Sequence, residues 1–218
     1  MTLYFDSGLY KVWRANRFKA IIQHYGKDYF RGKSMLEVGA SNGDFGQMFI
    51  ELGATVTSYE GRLQNFQELM AKYPTRSCAF IDLDNEPIQS HFDIILNVGL
   101  VYHLVNFEKH LANCMSCCEE MILETEVIDL SQEGYWKERE DVNNQGAGLH
   151  SFGTKATVSY IERLLGESGF EWSRPKKPGI MNTPPWIYDW VPQNKGLISG
   201  VGFRAMWFCK KKTIQIVP

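Results

Sequence analysis

The residues of this 218-residue chain best suited to chemistry fall in four places. The first is Leu36-Glu37-Val38-Gly39-Ala40-Ser41-Asn42-Gly43-Asp44-Phe45-Gly46, where an apolar run breaks into spaced glycines. Glycines at a strand-to-helix turn let a ligand approach the backbone and expose amide donors, so Glu37, Gly39, Ser41 and Gly43 read as a nucleotide-type cradle. A dinucleotide fingerprint started at Gly39 needs glycine at positions 41 and 44, where the chain has Ser41 and Asp44, which disfavours NAD or FAD. The second place is Glu60, 23 residues after Glu37 and at the end of the next apolar run, where a carboxylate can accept from both ribose hydroxyls of an adenosine. The third is Tyr102-His103, just beyond the apolar run Phe92 to Val98. Histidine has the ordinary pKa that suits proton removal near neutrality, so His103 is the leading candidate base, with a histidine bonded to backbone as the structural alternative. The fourth is Leu123-Glu124-Thr125-Glu126, in which strand alternation sets Glu124 and Glu126 on one face. These acids could orient His103, accept a substrate hydroxyl, or act as base if burial raises a pKa; the structural alternative is pairing with Arg204. His150 is a further candidate near the acceptor.

The elements that must position these groups alternate along the chain. A leading helix over Leu9 to Tyr25 carries Tyr10, Trp13, Phe18, Ile21 and Ile22 at helical spacing and ends at Gly26. Strand Ser34 to Val38, helix Gln47 to Leu52, strand Thr55 to Tyr59, helix Leu63 to Lys72 and strand Ser77 to Ile81 follow. Then come strand Phe92 to Val98, helix Phe107 to Met115 and strand Glu120 to Ile128. This alternation implies a parallel sheet with helices on both faces. A polar segment from Ser131 to Gly148 precedes a helix from Thr157 to Leu165 and two strands, Phe170 to Ser173 and Gly202 to Cys209, the last antiparallel. The expected organisation is one domain over 1–218: a leading helical segment at 1–30, a cofactor-binding core at 33–129 and a substrate-side segment with the closing strands at 131–218.

Composition narrows the classes. With 44% hydrophobic and 22% charged residues the chain is an ordinary globular one, and no apolar run approaches the ~20 residues of a membrane span. A formal net charge of −2 offers no general attraction to a polyanion, so nucleic acid is not the favoured partner, although a local basic patch could still meet a tRNA. The N-terminal residues lack the pattern of a secretory signal, and the five cysteines follow no disulfide rhythm, which together predict a cytoplasmic protein with free thiols. His110, Cys114 and Cys117 share a helical face, but a closed zinc site needs four ligands and no metal is expected. Trp186-Ile187-Tyr188-Asp189-Trp190, with Tyr135 and Trp136, supplies aromatic faces beside an acid. That combination suits a sugar ring, a stacked base, or a small core that pins a loop.

The glycine segment resembles motif I of the S-adenosylmethionine (SAM) methyltransferases, acidic-x-Gly-x-Gly-x-Gly, carried by Glu37, Gly39, Ser41 and Gly43 with serine at the middle glycine. The resemblance covers about Lys33 to Asp129 and implies a single α/β Rossmann-like domain with a mostly parallel seven-stranded sheet and SAM as cofactor. It implies roles for four strand ends: Glu60 for the ribose, Asp82 for the adenine amino group with Leu83 against the ring, Asn97 beside the methionine part, and Tyr102-His103 near the methyl group. Val98-Gly99-Leu100-Val101-Tyr102-His103-Leu104 and Leu123-Glu124-Thr125-Glu126 are similar to two groups within that superfamily. In sugar and glycan O-methyltransferases, stretches like Tyr188-Asp189-Trp190 and Arg204-Ala205-Met206-Trp207 recur. The other group is the tRNA wobble-uridine carboxymethyl-transferring enzymes, which are longer and carry basic RNA-facing parts. The expectation is therefore methyl transfer to a sugar hydroxyl on a small-molecule or glycan acceptor. His103, Glu124 and Glu126 would do the proton chemistry, and Tyr102, Trp136, His150, Tyr188, Asp189 and Trp190 would bind the acceptor. The alternatives are a tRNA-modifying enzyme and a SAM-binding module without activity, against which the intact Gly39, Gly43, Glu60 and Asp82 argue.

Overall fold

The computed structural model describes residues 4–188, 193–194 and 202–213. Its strands are β1 (Ser34–Val38), β2 (Thr55–Glu60), β3 (Ser77–Phe80), β4 (Phe92–Val98), β5 (Cys118–Ile128), β6 (Tyr135–Arg139), β7 (Phe152–Thr157), β8 (Phe170–Ser173), β9 (Trp186–Ile187) and β10 (Gly202–Lys211). Its α-helices are α1 (Gly8–Tyr25), α2 (Asp44–Ile50), α3 (Leu63–Lys72), α4 (Phe107–Ser116) and α5 (Val158–Glu167). The main sheet runs β3-β2-β1-β4-β5-β10-β8. β1 to β5 pair in parallel, and β10 is antiparallel to both β5 and β8. This is the Rossmann-like arrangement with an antiparallel closing strand that the alternation predicts.

Strand alternation splits the core into two layers. Ile95, Leu123 and Trp207 pack on one face of the sheet with Leu111 of α4 and Leu165 of α5. Ile94, Leu96, Ile122 and Phe208 pack on the other with Ile21 of α1 and Phe49 of α2. Each fully buried side chain of this size contributes about 1.5–3 kcal/mol of transfer free energy, which fixes the register on which the site depends. Among the described residues no helix is long and apolar enough to cross a membrane.

Two features depart from the sequence reading. Residues 131–148 are not merely a polar segment: β6 pairs antiparallel with β7, and β7 joins the end of β5 through Val127–Ala156 and Ile128–Thr157. The strand escaped notice because every residue of β6 is exposed, leaving no apolar alternation to read. Helix α2 begins at Asp44 rather than Gln47, because Gly43 in a left-handed conformation ends the turn one residue before it.

Candidate functional site

The carboxyl ends of β1, β2, β3 and β4 converge on two adjoining cavities, as open parallel sheets place ligand sites. One, a cleft of about 860 Å³, is lined by Gly39, Ser41 and Leu100 and walled by Tyr10, Trp13 and Trp186. The other, about 450 Å³, lies over Glu60, Asp82, Leu83 and His150. Gly39, Leu100, His103 and Ala147 belong to both.

The glycine turn is shaped by conformations that side chains avoid. Gly39, Ser41 and Gly43 all have positive φ (66°, 54° and 78°), the middle one unusual for a residue with a Cβ. A Cβ on Gly43 would lie 2.2 Å from Leu69 Cδ1, so only glycine fits there. Glu37 supports the turn from beneath: it accepts from Gly46 N at 2.7 Å and from Ser58 Oγ at 2.8 Å. Burial pushes its carboxyl pKa up, against the pull of Arg76. Its oxygens are thus engaged by protein donors, and the residue holds the backbone that a ligand would meet.

Glu60 accepts from Ser41 N at 2.6 Å and Arg62 N at 2.8 Å. Burial raises its pKa against the pull of the Arg62, Ser41 and Gly61 backbone donors, and a carboxylate has about four lone-pair sites, so it could still accept from a ligand hydroxyl. Asp82 and Leu83 line the same cavity, and His150 Nε2 sits 3.1 Å from Asp82 Oδ2. His150 therefore lines the smaller cavity, beside Asp82. Two buried donors lining the larger cleft, Ser41 Oγ and Trp13 Nε1, have no hydrogen-bond partner among the described residues. Buried polar groups are ordinarily paired, so a polar ligand with acceptor atoms fits this floor.

His103 stands at the junction of the cavities. Its Nδ1 lies 2.8 and 2.9 Å from the two oxygens of Glu140, which also accepts from Gly148 N at 2.6 Å. Burial of Glu140 opposes its charge, but His103, the Gly148 N–H and Lys155 together outweigh burial and hold the carboxyl below its usual range. A carboxylate against Nδ1 fixes the proton there and leaves Nε2 as the acceptor. Glu140 was not legible: it sits among Lys137, Glu138, Arg139 and Asp141, and only the β6–β7 hairpin carries it to His103.

The two acids of β5 do not reach the cleft. Glu124 is fully buried, 3.0 Å from Arg17 Nη2 and 3.2 Å from Arg204 Nη1 through both oxygens, and Tyr188 OH donates to it. Burial alone would raise its pKa, yet Arg204 and Arg17 outweigh that and hold it below the usual carboxylate range. A base needs proton affinity and a free lone pair, so Glu124 is corrected from catalyst to structural anion. Glu126 pairs with Lys155 at 2.9 Å and Arg204 at 3.5 Å, likewise a structural role.

Other positions need correction too. Asn97 is fully buried with its amide Nδ2 3.0 Å from His110 Nε2, because alternation in β4 turns it to the α4 side while Leu96 and Val98 face the cleft. Trp136 lies exposed on β6, away from both cavities. Tyr188 is buried against Glu124 rather than offered to an acceptor. Asp189 and Trp190 lie outside the described residues. Tyr102 does line the cleft, its hydroxyl accepting from Arg204 Nη2 at 2.8 Å. Sequence reasoning missed Arg17, whose signal was only a position one turn beyond Trp13 on α1; its guanidinium stacks 3.7 Å from the Trp13 ring. Among the described residues no group of three His, Cys, Asp or Glu side chains is placed to hold a metal ion.

Comparison with known proteins sets this geometry in context. No protein-family model matches the chain. A tRNA U34 carboxymethyltransferase from Ruthia magnifica subsp. Calyptogena magnifica is 28% identical over 58% of this chain, which spans 43% of that relative's length. The N-terminal domain of EvdMO1, solved in the presence of SAH and D-fucose, superposes with a TM-score of 0.69 at 16% identity, covering 92% of this chain and 83% of that one. Magnesium protoporphyrin IX methyltransferase from Synechocystis PCC 6803 with bound SAH gives a TM-score of 0.61 at 12% identity, covering 97% and 89%. The chain has the Rossmann-like fold of SAM-dependent methyltransferases.

Proposed function

We propose that this chain is a SAM-dependent O-methyltransferase that acts on a hydroxyl of a sugar, with His103 as general base. The observation that carries the reading is the His103–Glu140 pair at the junction of an adenosine-sized cavity and a larger aromatic-walled cleft. Gly39 and Ser41 present backbone and hydroxyl to the cofactor, Glu60 takes its ribose hydroxyls, and Asp82 and Leu83 take its adenine. When bound, SAM supplies an electrophilic methyl group. The protein aligns the acceptor, for which proximity contributes about 7–11 kcal/mol in well-oriented systems. His103 Nε2 removes the hydroxyl proton, and Glu140 stabilises the imidazolium that results. Tyr10, Trp13 and Trp186, with ring centroids 5.9–6.5 Å apart, form a wall suited to the CH face of a sugar.

The EvdMO1 domain, solved with a sugar present, supports this acceptor class. A tRNA acceptor is the second reading, favoured by the identity to the tRNA U34 carboxymethyltransferase. The deciding experiment has two parts. Calorimetric titration with S-adenosylhomocysteine (SAH) of the wild-type chain and of Glu60→Ala tests the cofactor: micromolar binding, weakened about tenfold or more by the substitution, is expected. Release of SAH from SAM is then measured across a glycoside panel and an unmodified tRNA pool. Turnover confined to tRNA would replace the sugar acceptor, and no SAH binding would end the methyltransferase reading.

A further inference from the structure

Arg62 lies two residues beyond Glu60, and its backbone N–H donates to the Glu60 carboxylate at 2.8 Å. Its guanidinium reaches across to the loop between β6 and β7 and donates to three backbone carbonyls: Val142 at 3.0 Å, Ala147 at 2.9 Å and Gly148 at 2.7 Å. Lysine is a point charge, whereas arginine is a planar fork of five donors and can bridge several fixed acceptors at once. Because its partners are backbone carbonyls, the contact holds the path of the loop rather than one side chain.

That loop does two things. Gln145, Gly146 and Ala147 line the cleft, while Ala147 to His150 line the adenosine-sized cavity, so the loop covers both. Its first residue, Glu140, is the partner of His103. The closed position leaves little slack: a Cβ on Gly148 would lie 2.5 Å from His103 O, and one on Gly61 would lie 2.7 Å from Leu149 Cδ1. Gln145 adds a second tie, donating to Asn65 Oδ1 at 2.9 Å and Glu68 Oε1 at 3.0 Å on α3. As placed, the loop thus covers both cavities and brings Glu140 to His103.

We propose that Arg62 is a positioning residue that fastens the 140–149 loop to the strand end carrying Glu60, so that filling the adenosine-sized cavity and setting Glu140 against His103 become one event. The base is completed when the loop is shut over the cofactor and is dismantled when it opens for release. The inference rests on the cofactor reading given above and adds to it the residue that couples cofactor to base.

The test uses the full chain as wild type, Arg62→Ala, Arg62→Lys and Glu140→Gln. Hydrogen exchange read by mass spectrometry, with and without SAH, follows the loop, and stopped-flow displacement follows SAH release. SAH should slow exchange of residues 140–149 in the wild type. Arg62→Ala should speed loop exchange by about tenfold while β1, β4 and β5 keep their protection, and SAH should leave about tenfold faster. Arg62→Lys should not restore either rate. At saturating SAM, where cofactor retention does not limit turnover, Arg62→Ala combined with Glu140→Gln should be no slower than Glu140→Gln alone, since both break one unit. Normal SAH binding with loop exchange and release unchanged by Arg62→Ala overturns the clamp, as do turnover losses that multiply in the double variant. Absence of SAH binding by the wild type overturns the cofactor reading and the coupling with it; apo loop exchange then still reports whether Arg62 holds the loop.

Discussion

Glu124 and Glu140 are both acids beside cations, and their surroundings send them to different tasks. Glu124 lies between Arg17 and Arg204, sealed from water, where removing one partner of an ion cluster strands the others. Glu124→Gln is expected to lose about 3–5 kcal/mol of stability, measured by urea unfolding. The pH dependence follows from the sign of its shift. A carboxyl whose folded pKa lies below the unfolded value of about 4.3 contributes stability that is present above that value and is lost as pH falls through the folded pKa. The wild type should therefore lose stability steeply on the acid side, and Glu124→Gln should show a shallower decline. Glu140, by contrast, faces the cleft through His103. His103→Ala should cut kcat by about 10²–10⁴-fold while SAH affinity stays nearly constant, and Glu140→Gln should cause a smaller loss in the same direction. An unchanged rate in His103→Ala would move the base elsewhere.

The glycine turn between β1 and α2 is the element that lines the cleft at the end of β1. Its backbone leaves β1 and takes positive φ at three positions, with the Ala40 and Ser41 amides donating to Tyr59 O and Glu60, and Glu37 and Arg76 hold it from below. Arg76 Nη1 donates to Gly43 O at 2.6 Å, so the turn is tied on both sides. Gly43→Ala adds a methyl group that meets Leu69 and Arg76 Nη1 in a conformation that already disfavours it. It is expected to destabilise the fold by about 1–3 kcal/mol and to weaken SAH by tenfold or more, read by denaturant titration and calorimetry. Loss of stability with SAH affinity intact would show that the turn supports packing alone. The β6–β7 hairpin is the complementary element: exposed along β6, it is held by backbone pairing to β5 and by its loop contacts.

At the scale of the whole molecule, the two core layers lock the parallel strands in register, and the ligand cavities open at one end of that sheet. Most of the site comes from segments far apart in sequence: α1 supplies Trp13, β2 Glu60, the turn after β4 His103, and the hairpin Glu140. A ligand that bridges them binds only the folded chain. SAH at one hundred times its Kd is therefore expected to stabilise the protein by about 2.7 kcal/mol, which for a chain of this size raises Tm by roughly 5–10 °C. Differential scanning calorimetry checks this, and a shift absent at saturating SAH would mean that the cleft belongs to another ligand.

The sequence by itself determined the succession of strands and helices from α1 to β5, because apolar runs of strand length alternate with helical periods, whereas the order of the strands in the sheet came from the tertiary structure. It also marked the strand ends, since glycines and lone acids placed where an apolar run stops have few structural uses; Gly39, Glu60 and Asp82, which line the cavities, stand at such places. The tertiary structure decided which acid serves which partner. Glu124 and Glu126 read as chemistry because an acid in an apolar strand is costly, but the groups that neutralise them, Arg17, Arg204 and Lys155, arrive from three other elements. Asn97 was misread because a strand end has two faces, and only packing against α4 shows which one it takes. Glu140 and Arg62 left no trace in local pattern. Their roles depend on a hairpin held by backbone hydrogen bonds and on carbonyls, which every residue carries and no sequence motif records.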